Sequence, residues 1–148
     1  MRMIPFLLAV TLPLPAVAWQ ASSEAGLCRL THQEPGHTVE LTFDPSGPLY
    51  TITLSGEEAW PEASVFAMQF NGPRPIFIQT GAQVLSPDRR VLTVADRGFG
   101  NVLDGLQFNT TARASLGTRE VEISLDGAAP EVEAFRTCGT APTAYTVA

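Results

Sequence analysis

The chain has 148 residues with nine basic and fifteen acidic side chains, a formal net charge of −6, and every basic residue is arginine. That length holds one domain with a real core and is too short for two. An acidic, lysine-free surface repels phosphate backbones and anionic lipid, which sets nucleic-acid binding aside.

The first element in chain order is a secretory signal over residues 1–18. Arg2 supplies the positive start, Ile4 to Val17 is mostly apolar, and Ala16-Val17-Ala18 has the small-x-small pattern that predicts cleavage after Ala18. The apolar run is shorter than the roughly 20 residues of a spanning helix and is interrupted by Pro5, Pro13 and Pro15, so stable membrane insertion is not expected. Cys28 follows the polar stretch Gln20 to Glu24, which argues against lipidation there. Cleavage leaves 130 residues with a net charge of −7, placed in the periplasm or secreted.

Residues 19–26 are small and polar and read as a flexible lead-in to a domain over 27–139. Leu27 to His32 reads as a first strand. His37 to Asp44 alternates, with Val39, Leu41 and Phe43 on one face. Asp44-Pro45-Ser46-Gly47-Pro48 turns the chain, and Leu49 to Ser55 returns it with Tyr50, Ile52 and Leu54 aligned. Gly56 to Ser64, with three glutamates, Trp60 and Pro61, reads as a loop. Val65 to Phe70 and Ile76 to Thr80 flank the turn Asn71-Gly72-Pro73-Arg74-Pro75. A short strand at Val84-Leu85 and another at Val91 to Ala95 flank Ser86 to Arg90.

In the last third, Phe99, Val102, Leu103 and Leu106 share helical spacing, which predicts two turns at most because two glycines interrupt them. Phe108 to Leu116 and Val121 to Leu125 form a hairpin about Gly117-Thr118. Pro130 to Thr137 reads as a short helix stopped by Gly139, and residues 140–148 as a loose tail. The expected fold is mainly β, an antiparallel sandwich or barrel-like domain with two short helices near the C-terminus.

Cys28 and Cys138 are the only cysteines and stand near the two ends of the domain. In an oxidising compartment a lone pair bonds, and closing a loop on the order of 100 residues is worth about 4.7 kcal/mol in the chain-entropy account. Without a C-x-x-C motif, neither a redox pair nor a zinc site is indicated.

Two segments carry a resemblance. Asp96 to Asn109, DRGFGNVLDGLQFN, and Val121 to Cys138, VEISLDGAAPEVEAFRTC, are similar to uncharacterised small secreted proteins of alphaproteobacteria. The hairpin followed by SLDGAAPEVEAF also resembles the C-terminal part of the invasion-associated locus B family. Neither resemblance implies an activity. Proteins of the first kind sometimes carry an excinuclease-subunit label. This chain opposes that role, having no phosphate loop, no lysine and a secretory start.

Chemistry-bearing groups are few. His32 and His37, the only histidines, are metal candidates with Glu34 or Asp44, but their offset spans Pro35-Gly36 and they read as a turn-flanking surface pair. No G-x-S-x-G elbow accompanies them. Glu57, Glu58 and Glu62 beside Trp60 read as a solvated loop and not as an acid–base pair. Asp96-Arg97-Gly98-Phe99-Gly100 reads as a strand-to-helix turn, with a ligand loop as the alternative. No catalytic residues, metal or cofactor are assigned.

The function expected is that of a non-enzymatic protein that binds an envelope protein or a small ligand. Trp60, Arg74, Arg97 and Phe99 are the contact residues, being large side chains in loops. The alternatives are a small envelope hydrolase or metal-binding protein using His32 and His37, and a structural subunit of an envelope complex.

Overall fold

The computed structural model describes residues 8–11 and 18–138. Most of the signal segment 1–18, the helix stop at Gly139 and the tail 140–148 therefore lie outside the described residues. Among the described residues no helix is long and apolar enough to cross a membrane.

The fold is mainly β, built from two antiparallel sheets and two helices. In chain order the elements are β1 Gln20–Glu24, β2 Leu27–Glu34, β3 His37–Asp44, β4 Leu49–Gly56, β5 Phe66–Asn71, β6 Ile76–Thr80, β7 Val84–Leu85, β8 Val91–Asp96, α1 Gly100–Gln107, β9 Thr111–Leu116, β10 Arg119–Ser124 and α2 Ala128–Cys138. The first sheet has the order β1-β2-β3-β4-β8-β7 and the second β10-β9-β5-β6.

The alternating strands behave as their pattern requires. In β3, Val39, Leu41 and Phe43 are buried while the residues between them are half-exposed. The register sets Val39 opposite Leu54 and Leu41 opposite Ile52, so the same face of β4 joins the core. On the wetter face Thr42 and Thr51 share a hydroxyl hydrogen bond across the same pair of strands.

Residues 20–24, expected within a flexible lead-in, instead form β1, which pairs along its whole length with β2. Their polar sequence shows no alternation because β1 is a mostly exposed edge strand, held by backbone bonds and not by a buried face. Trp19 just before it is buried, and the Ala21 N–H donates to Glu131 Oε2 of α2 (3.0 Å).

The helices join the two sheets. α1 packs on β5, β6 and β9, and α2 on β1, β2 and α1. Gly105 lets α1 approach closely, since a Cβ there would stand 2.4 Å from Phe70 Cδ2. Arg136 of α2 reaches Asp104 of α1 at 2.6 Å. α2 begins at Ala128, two residues before Pro130, and ends at Cys138, whose sulfur is bonded to Cys28 at the start of β2. Phe43, Tyr50 and Phe99 stack in a row, with Phe135 of α2 beside Tyr50.

Candidate functional site

A cleft of about 610 Å³ opens between the sheets where β6 of one faces β4 and β8 of the other. Ile52, Phe66, Met68, Ile78, Val94 and Phe99 form its walls, and Asp96, Asn101 and Gln79 supply polar groups at its margin. The strand registers explain the apolar walls. Met68 lies opposite Ile78 and Phe66 opposite Thr80, so these side chains share the inner face. Ile52 lies opposite Val94, which supplies the facing wall. Its size falls within the range of small-ligand sites.

One end of the cleft is closed by the Asp96–Gly100 turn and the start of α1. Asp96 Oδ1 accepts the Arg97 N–H at 2.7 Å, which shapes the turn. The first helical hydrogen bond runs from Leu103 N–H to the Phe99 carbonyl (2.8 Å), and no side chain caps the helix. No acidic residue stands in its first turn.

The four residues expected to make contacts are not brought together, and two of them are not surface anchors. Phe99 is buried, lining the cleft and stacked on Tyr50, so it serves as a wall. Trp60 is also buried, set edge-on to Phe66, with the Arg119 guanidinium 4.5 Å from its ring centroid. Its backbone N–H donates to the Arg89 carbonyl (2.7 Å), and this folds the loop back under the molecule. Sequence reasoning took a loop position for an exposed one; large aromatics in loops also serve as lids on cores.

Arg97 is exposed in the turn at the cleft, and Arg74 is exposed with its guanidinium 4.4 Å from the Phe108 ring centroid. Arg74 is further held by Asn109, whose Oδ1 accepts its N–H (3.0 Å) and whose Nδ2–H donates to its carbonyl (2.7 Å). Asn109 is thus a clamp between the β5–β6 turn and the approach to β9, a role its sequence neighbours do not signal.

The histidines depart from the surface pair expected. His32 is 2% exposed and His37 is half-buried. The antiparallel register places His37 opposite Glu34, and His32 lies two residues before Glu34 on the same face of β2. Pro35 and Gly36, the latter at φ +90°, make the turn that closes this register.

His32 Nε2 and His37 Nε2 stand 3.0 and 3.2 Å from the same Glu34 Oε2, which also accepts the Ser124 N–H at 3.1 Å. A carboxylate oxygen only accepts, so each ring presents its Nε2–H. Trp19 stacks on His32 with ring centroids 4.5 Å apart and donates Nε1–H to the Ser124 carbonyl (2.8 Å). The cluster therefore joins β10 to β2. Among the described residues no group of three or more His, Cys, Asp or Glu side chains is arranged to hold a metal ion.

A second, more open hollow at Glu58, Arg89, Arg119 and Glu120 is polar and internally paired. Arg119 Nη1–H donates to the Glu58 carbonyl, and Arg119 Nε lies 4.0 Å from Glu58 Oε2. It offers a ligand little that is not already engaged. Compared with known proteins, the chain matches no family model, and no curated sequence or solved structure matches it significantly.

Proposed function

We propose that this protein is a non-enzymatic binding protein working in the periplasm or outside the cell, and that the cleft between β6 and β8 holds the apolar part of its ligand. One observation carries the reading: a cleft of about 610 Å³ between the sheets, with apolar side chains in its walls and polar groups at its margin. The disulfide between Cys28 and Cys138 is compatible with an oxidising compartment, as is the signal-like start. Both histidine Nε2 atoms are engaged by Glu34, which supports a role for the pair in joining the sheets.

A neutral apolar fluorophore, N-phenyl-1-naphthylamine, tests the reading. Saturable emission enhancement is expected with the wild-type protein. Ile78→Trp, which fills the inner face opposite Met68, should abolish it while the domain still melts cooperatively. Absence of enhancement, or equal enhancement in the folded variant, rejects the cleft as a binding site.

A further inference from the structure

We infer that the ligand of this cleft is an extended segment of a partner protein, which adds to β6 as a further strand and turns alternate apolar side chains into the cleft. This rests on the binding reading above and names the chemistry of what is bound.

The two sheets present four edges, and they are unequally protected. β1 carries Glu24 and is packed by α2, with the Ala21 N–H already taken by Glu131. β10 carries Arg119, Glu120 and Glu122. β7 is only two residues long. Charge, cover and shortness are the usual defences of a sheet edge against pairing with another chain. β6, Ile76–Thr80, is packed by α1 but carries no charge and is longer than β7: it is five residues of IFIQT, and among the described residues β5 is its one strand neighbour. From Ala63 to Pro87 the only charged residue is Arg74, in a chain whose charged share is 16%. Phe77 on the outer face is 60% exposed.

The edge and the cleft are parts of one surface. In an antiparallel pair alternate residues direct N–H and C=O away from the partner strand, so β6 offers a hydrogen-bonding row at the mouth of the cleft. Across the mouth, β7 covers only Leu92 and Thr93 of β8, leaving Val94 to Asp96 beyond its pairing. A strand added beside β6 continues the alternation of Phe77 outside and Ile78 inside, so every second side chain is turned toward the cleft. Main-chain bonds along an edge with pockets for alternate side chains are the established physics of strand addition.

Charge selects the occupant. A second copy would bring a further −6 against the acidic surface of the first, whereas a segment with basic residues around its apolar positions is attracted to it. The partner segment is thus extended, apolar at every second position and net positive.

The test uses the wild-type protein and a synthetic peptide of alternating valine and threonine with lysine at each end. Hydrogen exchange is followed at β6, and N-phenyl-1-naphthylamine reports on the cleft. Displacement of the dye together with about tenfold slower exchange at alternate β6 amides supports the inference. Dye binding without any peptide effect at β6 overturns it and leaves the cleft reading intact. Failure of both dye and peptide removes the cleft reading and the inference with it. Protection of β6 that rises with protein concentration alone makes a second copy the occupant and overturns the partner proposed here.

Discussion

Where β10 meets β2, polar groups are spent on joining the two sheets; where β6 faces β8, almost none are. At the first place one carboxylate oxygen of Glu34 gathers two imidazoles and the Ser124 N–H, and Trp19 lies across them. At the second, the walls are Ile, Val, Met and Phe, with Gln79, Asp96 and Asn101 at the margin. The contrast shows how a small sandwich can keep an open apolar flank. The tied side, reinforced by the Cys28–Cys138 bond and α2, fixes the distance between the sheets. The other side then need not close to keep the core together.

If that division holds, damage to the tied side should cost stability, and damage to the open side should cost binding. The largest effect is expected from replacing Cys28 and Cys138 together by alanine, a loss of about 2–5 kcal/mol. Urea denaturation with and without reductant measures it, and a reductant-insensitive midpoint would break the comparison at its strongest point. Next comes Glu34→Ala, which leaves the buried His32 without its acceptor. Hydrogen bonds to a charged group are worth about 1.5–3 kcal/mol, so chemical denaturation should show a loss in that range.

Gly105→Ala probes α1, which carries part of the open side. Its Cβ would collide with the Phe70 ring, and overpacking of this kind costs about 1–3 kcal/mol. Because α1 begins beside the cleft, fluorophore affinity should fall in this variant, whereas Glu34→Ala should leave it unchanged in the folded fraction. Equal loss of affinity in both would show that the two flanks are coupled.

The smallest expected effect lies in the two turns at Asp44 and Asp88. The Ser46 hydroxyl and N–H hold the Asp44 carboxyl below its ordinary value, and the Ser86 hydroxyl and Arg90 N–H do the same for Asp88. A carboxyl lowered by folding stabilises above its unfolded pKa, and that contribution is lost as pH falls through the folded value. Ser46→Ala should therefore raise the Asp44 titration midpoint in an NMR titration and leave Asp88 where it was.

Much of the sandwich was legible because its strands obey a period of two. β3 and β6 occupy the spans their alternation predicts, and α1 forms where Val102, Leu103 and Leu106 recur. β1 was not legible, since an exposed edge strand needs no apolar pattern and its order comes from β2, Trp19 and Glu131. The site was less legible than the fold. Phe99 was picked out for contact, and its place proved to be inside the wall and not on the rim. Trp60 was misplaced for the same reason, as a loop can fold under the core. The histidine–glutamate cluster depends on register across Pro35-Gly36, and the cleft is a relation between two sheets that no local pattern encodes.

The covalent link at Cys28 and Cys138 also decides how the domain would bear a mechanical load. A pull between Gln20 and Cys138 passes through the sulfur bridge and bypasses the chain between the two cysteines, which stand 110 positions apart. The loaded path runs through β1 and its turn to Cys28, so β1 would peel from β2 while the rest of both sheets, the helices and the cleft between β6 and β8 stayed folded. A tether at that end could be stretched without changing the shape of the surface that meets a ligand.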